Sequence, residues 1–304
     1  MDRSLIEAWA SEADISARSV LVTIIGDTLV PVGASLWMSQ MLQLTDVFGF
    51  SDRLVRTSMT RLNGEGWLSN ERVGRQSRYH LTELALRESA QAAEQIYGVD
   101  DADWEGEWTL LFLNNPGSNA SDSATIADHL RWNGFVRIGR DLLASPTCKP
   151  DVVRELVALI APDVRPVIAT AAFTELGRLV EEGFFLADAD VDELARAYAA
   201  FVDCYERLAV DAGSLEPEVA YGVRTMMVHD LRRIRLRWPD LPAATRPTDW
   251  AGDVAAQVAT TLYEPLTERA SSWLGEVFGR DYPSTIPGRF CPLWTGREGR
   301  DVWV

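Results

Sequence analysis

Residues 50–80 read FSDRLVRTSMTRLNGEGWLSNERVGRQSRYH, and this stretch decides the fold of the first third of the chain. It begins with a segment whose apolar residues recur at helical spacing, and a Gly-Trp pair follows it. Two runs with strand character come next, separated by a Gly-Arg tip. A helix followed by a two-stranded hairpin is the order of the recognition helix and wing in a winged helix-turn-helix.

The same stretch is positively charged, although the protein is strongly acidic. Six arginines stand against three carboxylates, a local balance of +3, whereas the whole chain of 304 residues carries −16. A cationic strip on an acidic protein predicts an anionic partner, of which DNA is the simplest. The arginines are Arg53, Arg56, Arg61, Arg72, Arg75 and Arg78, and the carboxylates are Asp52, Glu65 and Glu71.

Helices are also predicted before this stretch. Ser16 can cap a helix whose apolar stripe covers residues 20–25, and Pro31 breaks that helix. A second helix is predicted over about 34–47, with Leu36 and Trp37 among its apolar residues.

The third helix carries the charged strip on its outer face. Gly49 makes the turn before it, Ser51 caps it, and Gly64 and Gly66 end it. The predicted inward stripe consists of Leu54, Val55, Ser58 and Leu62, which leaves Arg53, Arg56, Thr57, Thr60 and Arg61 facing outward. Strands are predicted over 67–73 and 77–82, joined at Gly74, Arg75 and Gln76, and a helix over about 82–97.

The middle of the chain alternates strands and helices. A strand is predicted over Trp108–Leu113, a helix capped by Ser123, two short strands within 134–146, a helix opened by Asp151 and a strand within 164–172. This β-α-β-β-α-β order is the split βαβ, ferredoxin-like pattern.

The chain is therefore expected to be α+β and mainly helical, with three domains. They are a winged helix-turn-helix over 1–98, a ferredoxin-like domain over 104–173 after an acidic linker at 99–103, and an α-helical domain over 174–304. The amino terminus lacks a signal-peptide pattern and no apolar run reaches the length of a membrane span, so a cytoplasmic protein is expected. Three widely spaced cysteines predict no disulfide framework.

Several segments resemble the PaaX family of bacterial repressors of phenylacetic-acid catabolism genes. The similar blocks are ARSVLVTIIGD, VPVGASLWMSQM, FGFSDRLVRTSMTRLNGEGWL with VGRQSRYHLT, HLRWNGFVRIGRDLLASP and MMVHDLRRIRLRWPDLP. The resemblance implies an N-terminal winged helix, a Cas2-like middle domain and a helical C-terminal domain. It also implies a homodimer that leaves its double-stranded operator when an acyl-CoA effector, phenylacetyl-CoA, binds.

Two sets of residues are candidates for binding. The DNA-binding set follows the outward face of the third helix and the hairpin, where arginine and threonine side chains meet base edges and phosphates: Arg53, Arg56, Thr57, Thr60, Arg61, Arg72, Arg75, Gln76 and Arg78. The effector-binding set is His229, Arg232 and Arg233, whose guanidinium groups could hold the phosphates of coenzyme A. The alternative for this second set is structural, with these arginines paired to acidic groups of the protein.

Two other functions compete with a repressor. Cas2-like folds include metal-dependent nucleases, whose first strand ends in an aspartate, but Asn114 or Asn115 stands at that place, and a neutral amide is a poor Mg²⁺ ligand. A winged helix used only as an interaction scaffold is the second alternative, which the arginine strip disfavours. We therefore predict no enzymatic activity, no cofactor, no metal site and no catalytic residues.

Overall fold

A computed structural model describes residues 3–12, 15–33, 35–98, 104–113, 120–131, 134–186, 191–209, 212–237, 242–246 and 250–286. The helices are α1 (Arg3–Ala10), α2 (Ala17–Ile24), α3 (Met38–Asp46), α4 (Asp52–Gly64), α5 (Glu83–Tyr97), α6 (Ala120–Arg131), α7 (Pro150–Ile160), α8 (Leu176–Glu181), α9 (Val191–Ala209), α10 (Pro217–Arg235) and α11 (Ala251–Phe278). The strands are β1 (Ser35–Trp37), β2 (Leu68–Val73), β3 (Gln76–Leu81), β4 (Glu107–Phe112), β5 (Val136–Gly139), β6 (Leu142–Ser145) and β7 (Val167–Ala172).

The architecture is mainly helical with two antiparallel sheets, which confirms the α+β class. The chain forms two compact units, and the helices of its C-terminal part contribute to both. The first unit takes its described residues from Met1–Val99, Phe201–Arg232 and Ala255–Val304, and the second from Asp100–Ala200 and Arg233–Val254. The division into three domains stays a prediction.

The first predicted helix begins where its cap was expected. The Ser16 hydroxyl accepts a hydrogen bond from the Ser19 N–H at 3.2 Å. The helix then continues as a π-helical turn over Ile25–Leu29 and a 3-10 turn over Val30–Val32, so the irregularity begins before Pro31.

The second predicted helix starts later than expected. Residues 35–37 form strand β1 instead, in which Leu36 lies opposite Tyr79 of β3 and is almost fully buried. Strand pairing therefore outweighs the helical pattern in this segment. Helix α3 begins at Met38, where the Gln40 side chain accepts a hydrogen bond from the Trp37 N–H at 2.8 Å and so stabilises the helix start.

A buried ion pair lies in the core of the first unit. The carboxylate of Asp27, in the π-helical turn, is 3.0 Å from the guanidinium of Arg224 on α10, and both side chains are inaccessible to solvent. Tyr97 and Tyr263 each donate a hydrogen bond of 2.8 Å to Asp27. Burial lowers the pKa of Arg224, but the charge of Asp27 together with Tyr282 and Tyr263 raises it by more in total, so the net pKa lies above the ordinary value. Arg224 is therefore a charged residue committed to the core.

The second unit contains the four-stranded sheet, in the order β5-β6-β4-β7 with every neighbouring pair antiparallel. The predicted β-α-β-β-α-β order is present, since α6 follows β4 and α7 follows β6. Helices α6 and α7 cover one face, where Leu111, Leu130 and Val157 are buried. Trp108 and Phe185 stack at 4.5 Å in a second buried cluster of this unit.

One predicted cap in this unit is wrong. Ser123 lies inside α6, which begins at Ala120, and its hydroxyl donates to the Leu113 carbonyl at 3.2 Å. Helix α7 begins at Pro150, one residue before Asp151, because a proline is well accommodated in the first turn of a helix. The predicted linker at 99–103 and the tail beyond 286 lie outside the described residues. Across the described ranges, no helix is long and apolar enough to cross a membrane.

Candidate nucleic-acid interface

The turn between α3 and α4 sets the direction of the candidate helix. Gly49 has a φ of +70°, a left-handed conformation that glycine adopts without strain, and its N–H bonds to the Asp46 carbonyl at 2.9 Å. Ser51 then caps α4, since its hydroxyl accepts a hydrogen bond from the Leu54 N–H at 3.4 Å. Both predicted turn features of this helix are confirmed.

The inner face of α4 is narrower than the sequence predicts. Val55, Ser58, Met59 and Leu62 are buried, as a stripe at helical spacing requires. Leu54 was expected on this stripe, but its exposed fraction is 44%. The reason is geometric, because Leu54 lies about 100° around the helix from Val55 and falls on the edge of the buried stripe.

The arginines of α4 are exposed, but they differ in their partners. Within the described parts of the chain, Arg53 makes no ion pair, and Arg56 approaches Asp52 only to 4.0 Å. Arg61 bonds to Glu65 at 2.9 Å, and Arg18 also binds this carboxylate. The bond from Arg18 lowers the pKa of Glu65, and the bond from Arg61 adds to this effect. Arg53 and Arg56 are therefore the cations of α4 most available to an anion.

The two threonines on this face have already used their hydroxyl protons. Thr57 donates to the carbonyl of Arg53 at 2.8 Å, and Thr60 donates to the carbonyl of Arg56 at 2.9 Å. Such bonds back to the preceding turn leave the hydroxyl lone pairs and the side-chain methyl groups for other contacts.

A tight hairpin follows α4. Val73 of β2 pairs with Gln76 of β3 across a two-residue turn, in which Gly74 has a φ of +63°. Arg75 stands at the tip, exposed and without an ion pair among the residues that are described. Gln76 is exposed beside it, and Arg72 donates to the Gly74 carbonyl at 3.3 Å.

Arg78 differs from the other hairpin arginines because it supports the small sheet. Its guanidinium donates to the Ser35 hydroxyl at 3.0 Å and lies 5.6 Å from the centre of the Trp37 ring. Glu71 on the paired strand is 3.9 Å away. Arg78 is half-buried, and its guanidinium already interacts with Ser35, Trp37 and Glu71.

Comparison with known proteins identifies the family of this chain. A family model described as PaaX-like protein matches residues 16–85, and a second, PaaX-like protein C-terminal domain, matches residues 189–276. The transcriptional repressor PaaX from Escherichia coli K12 is 30% identical over 286 residues, which cover 90% of this chain and 87% of that protein. The chain belongs to the PaaX family.

A solved structure shows a related fold. The uncharacterized protein Rv0674 from Mycobacterium tuberculosis is 22% identical and aligns with a TM-score of 0.50, covering 84% of this chain and 98% of that one. At this identity the likeness concerns the fold alone. The first PaaX family match contains α2 to β3, and therefore every residue of the predicted DNA-binding set.

The second PaaX family match contains the predicted effector residues, and the contacts of His229 and Arg232 lie within the fold. The His229 ring lies fully buried, 3.1 Å from the Thr23 hydroxyl and edge-on to Trp9 at 5.2 Å. Arg232 donates to the Ser19 hydroxyl at 2.8 Å and to the Ser19 carbonyl at 3.2 Å. Arg233 is exposed on the next position of α10. His229 and Arg232 therefore take part in the packing of α10 against α2, and the effector role of the three residues stays a prediction.

The metal-dependent alternative would need a metal site. The described ranges hold no group of three or more His, Cys, Asp or Glu side chains placed to bind a metal ion. Asn114 and Asn115, on which the sequence argument rests, lie outside the described residues.

Sequence reasoning missed the part that α1 plays in this PaaX-family chain. Arg3 of α1 reaches the Asp46 carboxylate at the end of α3 at 2.9 Å, and the Trp9 ring N–H donates to Asp230 of α10 at 3.1 Å. Ile6 packs closely against Gly222 of α10. A Cβ atom added to Gly222 would lie 2.5 Å from the Cδ1 atom of Ile6. Helix α1 therefore ties the end of α3 to α10. The signal was present as the apolar pattern Ile6, Trp9 and Ala10.

Proposed function

We propose that this protein is a DNA-binding transcriptional repressor whose helix α4 enters the major groove. The proposal rests on three exposed arginines, Arg53 and Arg56 of α4 and Arg75 of the hairpin. In the described ranges they lack the close carboxylate contact that holds Arg61. Exposed guanidinium groups bind guanine edges and phosphates through paired donors. The relative in Escherichia coli is named as a transcriptional repressor, which agrees with this role.

The local geometry supports a winged helix-turn-helix. Helices α3 and α4 are joined by a short turn, as in a helix-turn-helix, and the β2–β3 hairpin follows directly with β1 as its third strand. In such an arrangement α4 is the recognition helix and the hairpin is the wing. Arg72 and Arg75 then contact the DNA backbone, whereas Arg61 and Arg78 help to hold the module in shape.

The remaining parts have proposed roles that follow from the family resemblance. The sheet of the second unit, with its β-α-β-β-α-β order, serves as a Cas2-like dimerisation domain over 104–173. The helical part over 174–304 receives the effector, and a two-fold dimer places two recognition helices on a palindromic operator. The regulated genes are those of phenylacetate catabolism, and phenylacetyl-CoA releases the repressor.

DNA binding is tested first, with a duplex selected from a random-sequence library by the wild-type protein. We expect Arg53→Ala combined with Arg56→Ala to weaken binding of this duplex by about 2 kcal/mol or more in fluorescence anisotropy at fixed salt. Arg165→Ala is the matched control, because Arg165 is also exposed and without an ion pair among the described residues. Failure to select any duplex, or equal losses in the variant and the control, would exclude the proposed role of α4.

Effector release is tested with the same duplex. A ligand releases DNA only if it binds the DNA-incompetent state more tightly. We expect phenylacetyl-CoA to lower the affinity for the duplex and free phenylacetate to leave it unchanged, because phenylacetate lacks the phosphates of coenzyme A. An equal response to both compounds, or a response to neither, would contradict a thioester effector.

Assembly is tested by light scattering at micromolar concentration, alone and with the selected duplex. We expect a dimer in both samples and two chains on each duplex. One chain on each duplex would exclude the two-fold arrangement.

A further inference from the structure

Helix α4 carries apolar groups on the face that is proposed to meet DNA. Leu54 is 44% exposed in the first turn after the Ser51 cap, three residues before Thr57. Residues three apart on a helix are neighbours on its surface. An isolated exposed leucine is common on proteins, but this one adjoins the available cation Arg53.

The hydrogen bond of Thr57 adds to this apolar character. Its hydroxyl proton is committed to the Arg53 carbonyl at 2.8 Å, so Thr57 cannot donate the same proton to a base. Its methyl group remains, as does that of Thr60, whose proton is committed to Arg56. The exposed face of α4 therefore combines strong cationic donors with apolar groups and lacks free threonine donors.

We infer that Leu54 and Thr57 read the 5-methyl groups of thymine in the major groove. This inference rests on the proposed DNA-binding function and adds a specificity that arginines cannot supply. Among the groups that base pairs present in the major groove, the 5-methyl of thymine is the apolar one. Aliphatic side chains recognise it by contact. Residues in the first turns of a recognition helix are those that reach base edges, which is where Leu54 and Thr57 lie.

The test replaces thymine by uracil, one position at a time, in the duplex selected by the wild-type protein. Uracil keeps every hydrogen-bonding group and removes only the methyl, so each measurement isolates one apolar contact. We expect at least one uracil in each half-site to weaken wild-type binding about four-fold. Leu54→Ala weakens binding of the thymine duplex by about ten-fold and removes the preference for thymine at that position.

Thr57 offers a matched pair of substitutions. Thr57→Val keeps the methyl group and replaces the hydroxyl by a second methyl, and we expect affinity to stay within about two-fold of wild type. Thr57→Ser keeps the hydroxyl and removes the methyl, and we expect about a four-fold loss together with lost sensitivity to uracil. The opposite order, with Thr57→Val the weaker binder, would show hydrogen-bond reading and overturn the role of Thr57.

The failures are distinguishable. If the wild-type protein selects a duplex but no uracil position matters, methyl reading is refuted and the DNA-binding function stands. The same conclusion holds if Leu54→Ala and Thr57→Ser both show the wild-type uracil profile. If no duplex is selected, the function and the inference fall together. Melting temperature controls for folding, and we expect no change for Leu54→Ala because this side chain is exposed.

Discussion

The arginines of α4 and the hairpin carry the same charged group as Arg224 of α10, but they differ from it in burial and in ion pairing. Arg53, Arg56 and Arg75 are exposed, whereas Arg224 is inaccessible to solvent and paired with the buried Asp27 at 3.0 Å. The same guanidinium group is a proposed DNA-binding element in the first setting and part of the core in the second. A count of arginines therefore indicates a function only after burial and partners are known.

Arg232 stands between these two cases. It is half-buried and donates to Ser19 of α2, yet it was predicted from the sequence to bind an effector. Its contacts show that one charged stripe on α10 contains both residues that support the fold and a more exposed neighbour, Arg233. The effector role of this stripe stays a prediction.

The largest effect is expected from breaking the buried pair. Arg224→Met leaves Asp27 as a buried charge without its cation, so we expect a loss of roughly 3–5 kcal/mol in the free energy of unfolding. Urea denaturation measures it, and Arg165→Met is the control with an exposed arginine. Adding Asp27→Asn to Arg224→Met restores part of the loss, because no charge then remains uncompensated. A loss below 1 kcal/mol for Arg224→Met would erase the contrast with the exposed arginines.

The stripe on α10 comes next. We expect Arg232→Ala to lower the free energy of unfolding by about 1.5–3 kcal/mol, since it removes charge-assisted bonds to Ser19. Arg233→Ala, on an exposed side chain, changes stability by less than about 0.5 kcal/mol. If the stripe also binds the thioester, Arg233→Ala reduces release of DNA by phenylacetyl-CoA at unchanged stability. Equal melting temperatures for Arg232→Ala and Arg233→Ala would show that the bonds of Arg232 to Ser19 do not stabilise the fold.

Base recognition by Arg56 is expected to be of similar or smaller size. Arg56→Ala weakens binding of the selected duplex by about 1–3 kcal/mol and relaxes base preference at one position, because its contact with Asp52 at 4.0 Å is weak. Arg61→Ala is a comparison within the same helix, and we expect a smaller loss since Glu65 already neutralises this cation. Anisotropy titrations on a set of single-base variants measure both quantities. An Arg61→Ala loss larger than that of Arg56→Ala would reverse the ranking.

The smallest effect is expected for Glu65, whose substitution should raise DNA affinity, whereas the arginine substitutions lower it. Glu65→Gln releases Arg18 and Arg61 and removes a negative charge near the proposed DNA surface, so we expect DNA affinity to rise about two- to five-fold at low salt. The folded pKa of Glu65 is lowered, so its stabilising contribution is present above the unfolded pKa and is lost as pH falls. Glu71→Gln on β2 is the control for loss of a negative charge, because Glu71 does not bind Arg18 or Arg61. Weaker DNA binding by Glu65→Gln would mean that Glu65 positions α4.

Much of the amino-terminal fold could be predicted because its signals are local. Ser16, Ser51, Gly49 and Gly74 act on their neighbours through caps and turns, and the structure places each as predicted. The helix predicted to include residues 35–37 was wrong at this segment, because these residues form a strand that pairs with β3, some 40 residues away in the sequence. Local pattern does not contain such a partner.

The division of labour among the arginines could not be predicted for the same reason. Asp27 and Arg224 are 197 positions apart, and their pairing is a property of the packed core. The sequence did contain a hint, since each is a charged residue within an otherwise apolar run. Buried charges are normally paired, so each interruption predicts a buried partner, but the local pattern does not say which residue that partner is.

The salt dependence of DNA binding tests the contrast most directly. The logarithm of the affinity falls linearly with the logarithm of salt concentration, with a slope of about −0.9 for each neutralised phosphate. We predict that the combined substitution Arg53→Ala, Arg56→Ala and Arg75→Ala makes this slope shallower by about one to three, at an unchanged melting temperature. Arg165→Ala leaves both quantities as in the wild type. A wild-type slope and affinity in the triple variant would show that these exposed arginines do not contact DNA.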